Sequence, residues 1–177
     1  LHGELRGALA EAANDERERS VATKADYDRN VPLTEVAPAI AAAGPERYAG
    51  MGLKDLGNEM WTYMKEGRQG FWQAQAYATL PTPEMTPRRA FQLLMAGKAE
   101  KVAHDKIANR VVGVGVIPYP PGIPIVMPGE NIGAEDGPWL TYLRSVQQWG
   151  HKFPGFAKEV EGTEERDGGY HIYCVTR

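Results

Sequence analysis

Leu1, Leu5 and Leu9 recur every fourth residue before the polar run Asn14-Asp15-Glu16-Arg17-Glu18-Arg19. This pattern predicts an amphipathic helix running into a solvated surface of mixed charge. Between 20 and 50 the pattern is broken by Pro32, Pro38 and Gly44-Pro45, so a linker with short helical turns is expected. Leu53, Leu56, Met60 and Met64 then fall on one face and predict a helix over 52–66, with Asp55 and Glu59 early and Gly67 as its stop. Phe71, Trp72, Ala76 and Leu80 predict another short helix ending before Pro81. Leu80-Pro81-Thr82-Pro83 should be a stiff, extended connector, because a residue preceding proline is pushed out of the helical region. The clearest start follows: Thr86 to cap, Pro87 at the first helical position, and Phe91, Leu94 and Met95 as the buried face before Gly97.

After Gly97 the period shortens to alternation. Ala99-Glu100-Lys101-Val102 and Arg110-Val111-Val112-Gly113-Val114-Gly115-Val116 predict strands, the second apolar enough to be central. Residues 118–128 form a proline-rich crossing with a short apolar strand over 123–127. Trp139, Leu140, Leu143 and Val146 predict a helix over 138–149, stopped by Gly150. The chain then reads as a hairpin, 158–163 and 170–175, turning at Asp167-Gly168-Gly169. Helices come first and strands mostly later, with no repeated strand–helix–strand unit. The expected class is α+β: a small, partly antiparallel sheet covered by helices, with an N-terminal helical or linker arm.

Composition narrows the function classes. The 177 residues suffice for one domain, or one domain plus an arm. Twenty Lys and Arg against 23 Asp and Glu leave a net charge of −3, which argues against a nucleic-acid binder relying on a strong positive field. The one cysteine, Cys174, rules out an intrachain disulfide and fits a reducing compartment. Prolines interrupt the most apolar stretch, 111–127, so no segment is expected to span a membrane. A soluble, cytoplasmic domain is the expectation. The start at Leu1, without a signal-peptide pattern, reads as a piece of something longer.

The motifs that carry chemistry are few. Gly113-Val114-Gly115 lacks the third glycine and the following helix on which a dinucleotide pyrophosphate would sit, so close strand packing is the better reading. His2, His104, His151 and His171 are scattered, and no two have helical ligand spacing, so no metal site is expected. Cys174 alternates with Ile172 and Tyr170, which predicts a buried structural thiol. Ser20 and Ser145 lack a nucleophile elbow, and Glu161, Glu164, Glu165 and Asp167 read as a solvated acidic face. The remaining oddity is the run Tyr119-Pro120-Pro121-Gly122-Ile123-Pro124, then Val126-Met127-Pro128-Gly129-Glu130. Five prolines in the 11 residues 118–128 stiffen an apolar segment and remove backbone donors. Two readings stand: a rigid edge crossing that shapes the core, or a fixed wall or interface with Tyr119 and Glu130 as polar groups at its ends.

Tyr119-Pro120-Pro121-Gly122-Ile123-Pro124 followed by Met127-Pro128-Gly129-Glu130 resembles the C-terminal domain of the bacterial ornithine/lysine/arginine decarboxylases, large fold-type-I enzymes dependent on pyridoxal phosphate. The resemblance extends through Leu80-Pro81-Thr82-Pro83-Glu84-Met85-Thr86-Pro87, Ala90-Phe91, Asn109-Arg110, Phe153-Pro154-Gly155-Phe156 and Asp167-Gly168-Gly169-Tyr170. It implies a parent enzyme whose cofactor forms a Schiff base with a lysine that follows Ser-x-His, the pyridine ring taking up the electrons released with CO₂. His151-Lys152 follows Trp149-Gly150 rather than Ser-x, and in His104-Asp105-Lys106 the two residues are not adjacent. No catalytic or cofactor-binding residue is therefore assigned to this chain, and no bound cofactor is expected. The implied partners are a large pyridoxal-phosphate domain of the same chain and a homodimer mate. Residues 1–45 would be the tail of the preceding region and 46–177 the C-terminal domain. The residues singled out as an active-site rim or interface are Tyr119, Pro120, Pro121, Gly122, Pro124, Pro128, Gly129 and Glu130. The alternative is a stand-alone protein-interaction module reusing this domain, or a small enzyme with a dispersed site.

Overall fold

The structure, a computed structural model, describes residues 22–176, so the helix and charge run expected over 1–19 lie outside the described residues. The chain divides into two compact units, Leu1–Tyr63 and Met64–Arg177.

In the first unit, short helices α1 (Lys24–Asp28), α2 (Leu33–Val36) and α3 (Pro38–Ala43) precede α4 (Leu53–Glu66), whose last three residues belong to the second unit. Thr23 caps α1 reciprocally. Its hydroxyl accepts from the Asp26 amide at 3.2 Å, and the Asp26 carboxylate accepts from the Thr23 amide at 2.9 Å. Asn30, at a φ of +53°, turns its side-chain oxygen to accept from the amides of Lys54 and Asp55 at the start of α4. Leu33, Ala41, Tyr48 and Leu56 are buried.

The second unit holds α5 (Gln69–Ala78), β1 (Thr82–Pro83), α6 (Pro87–Met95), β2 (Ala99–Ala103), β3 (Ile117–Pro118), β4 (Glu130–Asn131), α7 (Pro138–Lys152), β5 (Val160–Glu161), β6 (Thr163–Arg166) and β7 (Gly169–Val175). All named strand pairs are antiparallel. The main sheet has the order β2-β7-β6, and two small ribbons pair β1 with β4 and β3 with β5. The α+β class expected from the sequence is the one observed. α7 lays Leu140, Leu143 and Val146 into a core shared with Ile172, Val112, Val116, Val126 and Ile132. Each such buried side chain contributes roughly 1.5–3 kcal/mol relative to exposure.

Five expectations need correction. α6 starts as expected, with the Thr86 hydroxyl accepting from the Arg89 amide and Pro87 in the first turn, but of its expected buried face only Leu94 is half-buried. Ala90 is fully buried, Leu93 packs beside it against Val111 and Val175, and Phe91 and Met95 are exposed. The 110–116 segment is not a regular strand. Val111 bridges Asn131, Val112 bridges Cys174 and Val116 bridges Val126, so it crosses between partners, bending at Gly113-Val114. The 123–127 strand is reduced to the Val126 bridge, since Pro124 and Pro128 cannot donate to a ladder. The first arm of the terminal hairpin is split. β5 pairs with β3, and Gly162 then bends the chain into β6, which forms the hairpin with β7. Gly162 has a φ of +83°, and a Cβ there would lie 1.8 Å from the Gly115 carbonyl, so only glycine fits. α7 also continues past Gly150, ending where Phe153 precedes Pro154.

Candidate functional site

The proline segment is fastened at both ends and in the middle. At its entry the Tyr119 amide donates to the Glu159 carbonyl at 2.8 Å, and the Gly122 amide closes a turn onto Pro118 at 2.8 Å. The Tyr119–Pro120 and Pro120–Pro121 bonds are both cis. Gly122 has a φ of +78°, with the Tyr119 ring over the place a Cβ would occupy. In the middle, Ile125 and Val126 are buried and exchange backbone hydrogen bonds with Val116 at 2.9 Å. At the exit the Gly129 amide donates to Val112 at 2.8 Å, and its carbonyl accepts from Glu84 and Met85. The Glu130 carboxylate accepts from the Met127 amide at 2.7 Å.

This anchoring decides what faces outward. Tyr119, Pro120, Pro121, Ile123, Pro124 and Met127 are exposed, whereas Gly122, Pro128 and Glu130 are half-buried and Gly129 is buried. Ile125 and Val126 thus fill the core, while Tyr119, Pro120, Pro121, Ile123, Pro124 and Met127 leave an apolar face outward. The Tyr119 hydroxyl donates to Glu161 at 3.2 Å, and this carboxylate raises its pKa from the ordinary value. Glu130 does not face outward as a free carboxylate; it closes the turn that ends the wall.

Two of the sequence motifs quoted for the resemblance meet this segment at its exit. Gly129 ties the 80–87 segment to the 109–112 segment through the hydrogen bonds just described, and Pro83 pairs with Glu130 in the β1–β4 ribbon. The Trp149 indole donates to the Phe156 carbonyl at 2.7 Å, closing the Phe153–Phe156 motif against α7.

A second outward apolar face was hidden in the pattern. Phe91 and Met95, one turn apart on α6, are 57% and 71% exposed, and Leu80 is 87% exposed. Phe91 and Met95 thus form an exposed apolar pair on α6. The signal lay in α6 having two apolar faces, of which periodicity selects the bulkier.

Other candidate chemistry is quiet. Cys174 is buried and its thiol is pushed up to about 12 by burial, the state of an inert structural cysteine. Glu161, Glu164, Glu165 and Asp167 are exposed; Glu164 is paired with Lys101 and Arg166. The histidines are not as scattered as their sequence positions suggest. His104 feels the charges of both His151 and His171, and its Nδ1 is buried without a partner. Even so, no group of three or more His, Cys, Asp or Glu among the described residues is arranged to hold a metal ion. No described helix is long and apolar enough to cross a membrane.

Pyridoxal phosphate needs a lysine beside a cavity, with a carboxylate for the ring nitrogen and donors for the phosphate. Among the described residues, Lys24 is paired with Asp28 and Lys101 with Glu164. Lys152 and Lys158 lie over the rings of Phe153 and Trp149 at 5.7 and 6.0 Å. A cleft of about 440 Å³ beside Arg110 and Val175, and one of about 310 Å³ beside Pro38 and Tyr48, are lined without a lysine. Neither of these two clefts offers the lysine that the cofactor needs.

Comparison with known proteins places the domain. Residues 71–176 match the family described as Orn/Lys/Arg decarboxylase, C-terminal domain. Over 152 residues the chain is 45% identical to the biodegradative arginine decarboxylase of Escherichia coli, covering 86% of this chain and 20% of that protein. It is 35% identical over 153 residues to the lysine decarboxylase LdcA of Pseudomonas aeruginosa, covering 84% and 20%. The solved structure of the E. coli constitutive lysine decarboxylase superposes with a TM-score of 0.80 at 30% identity, covering 86% of this chain and 22% of that one. The chain spans about a fifth of the length of the relatives it matches. It belongs to the Orn/Lys/Arg decarboxylases, through their C-terminal domain.

Proposed function

We propose that this chain serves a pyridoxal-phosphate-dependent decarboxylase of a basic amino acid as its C-terminal domain, without carrying the reaction itself. In this reading 46–177 form the domain and 1–45 the tail of the region before it. The large domain supplies the lysine and holds the cofactor. This domain contributes a rigid rim to the active-site approach and part of the dimer interface. The setting is the cytoplasm.

The observation that carries the reading is the wall at 119–130. Its anchors at Gly122 and Gly129 hold Tyr119, Ile123 and Met127 outward in fixed positions, which a rim or interface requires and a flexible tether does not. The exposed stripe of Phe91 and Met95 supports a second docking contact with the same large domain. The identity of 45% to an arginine decarboxylase, against 35% to a lysine decarboxylase, supports arginine as the substrate of the whole protein.

The test is to substitute Tyr119→Ala and Ile123→Asp in the whole decarboxylase. A rim role predicts a raised KM or a weakened dimer with the cofactor still bound. Unchanged kinetics and assembly in both variants would rule the rim out.

A further inference from the structure

Three histidines far apart in sequence meet where the β6–β7 hairpin touches α7. β6 is the edge strand of its sheet, and the tip 164–168 is exposed. Two contacts hold the tip to α7: the Gln147 amide donates to the Gly168 carbonyl at 2.7 Å, and His151 Nε2 lies 3.6 Å from Glu165. The second contact is exposed on both sides and therefore weak. Under the tip, His104 Nδ1 and Gln147 Oε1 are both buried without a hydrogen-bond partner. They crowd one spot, because a Cβ on Gly169 would stand 3.4 Å from His104 Nδ1 and 3.7 Å from Gln147 Nε2.

A buried imidazole nitrogen tolerates the neutral ring far better than the charged one. The surroundings agree: burial lowers the His104 pKa below its ordinary 6.5, Arg144, His171 and His151 add to this, and Asp105 opposes it. The remaining charges are already engaged. Arg144 on α7 is bound to Glu135, and Glu164, opposite His171 on β7, is bound to Lys101 and Arg166. A proton on His104 therefore finds no spare carboxylate on β6 or α7 beyond Glu165, which faces His151. Water can reach it if the tip lifts.

We propose that this junction is an acid-released latch: near neutrality Gln147 pins the hairpin tip to α7, and in mild acid the tip detaches while the rest of the sheet holds. The tip is the part that yields because β7 is held to β2 over five register pairs and α7 is set in the core, whereas β6 is an exposed edge strand paired only with β7, and its tip meets α7 through the Gln147 hydrogen bond and the exposed His151–Glu165 contact. This latch is independent of the decarboxylase reading.

Amide hydrogen exchange on the 177-residue chain, corrected for intrinsic rates, tests it at pH 7.5 and pH 5.0. Protection over 164–169 is expected to fall at least tenfold in acid, with that over 100–103 and 171–174 unchanged. In H104Q the fall should vanish, and in H151Q it should persist. Equal tip protection at both pH values, loss of the whole sheet with the tip, or an undiminished fall in H104Q would overturn the latch. If H104Q does not fold, the wild-type imidazole signals decide. His104 must titrate with the same midpoint as tip opening, and a separate midpoint overturns the proposal.

Discussion

Gly129 sits directly beneath the Met85 carbonyl: a Cβ on Gly129 would come within 2.4 Å of that oxygen, at a φ of +90° that only glycine adopts freely. The same residue joins Val112 to Glu84 and Met85 through its amide and carbonyl. Gly129→Ala therefore combines backbone strain with a clash against main chain. It should cost about 2–5 kcal/mol of stability, read as a lowered urea midpoint with an unchanged m-value. Gly168 also has a positive φ, but nothing lies within 4 Å of its Cβ position, so Gly168→Ala should cost only about 1 kcal/mol. Equal losses would show that the Gly129 junction is not tight.

Phe91 and its neighbour Ala90 should respond in opposite ways. Ala90 is fully buried against Val111 and Val175, so Ala90→Leu should destabilise by about 1–3 kcal/mol through overpacking. Phe91→Glu with Met95→Lys changes exposed positions and should leave stability within about 0.5 kcal/mol. The same double variant should abolish the self-association that the exposed stripe drives at high concentration. Gel filtration over a concentration series checks this, and a wild-type chain monomeric throughout would contradict it.

Burial sets an alkaline limit. The Cys174 thiol is pushed up to about 12 from an ordinary 9.0, and the Tyr142 phenol up to about 12 from 10.0. The unfolded chain gives up both protons first, so between pH 9 and 12 the native state holds more protons. Stability is then lost as pH rises through that range, and is fully present below it. Urea midpoints at pH 8, 9.5 and 11 should decline in that order, and less steeply in Cys174→Val. At pH 8 the native thiol should be inert to a disulfide reagent and should react completely in denaturant.

Local chemistry made some elements readable in advance. Thr86-Pro87 announces α6, and the alternation of Tyr170, Ile172 and Cys174 announces the buried face of β7. What failed were decisions taken at a distance. Bulk favours Phe91 and Met95 for the interior, but the space against Val111 and Val175 admits Ala90 and Leu93 instead. The valines of 110–116 look like one strand because composition says nothing of a segment that changes partners at each bridge. Tyr119 and Glu130 flank the proline segment in sequence, but spacing does not say that Tyr119 binds Glu161 or that Glu130 is spent on the Met127 amide. The meeting of His104, His151 and His171 depends on the β2–β7–β6 order and the passage of α7, and no spacing encodes it.

On the proposed function, this domain serves a decarboxylase whose chemistry lies in another part of the protein. The direct measurement is CO₂ release from carboxyl-labelled arginine, lysine and ornithine by the purified 177-residue chain with added pyridoxal phosphate, followed by borohydride reduction and peptide mapping. The proposed function requires no release above the cofactor-only control and no lysine specifically modified at stoichiometric level. Turnover with any of the three amino acids, or one stoichiometrically reduced lysine adduct, would contradict it.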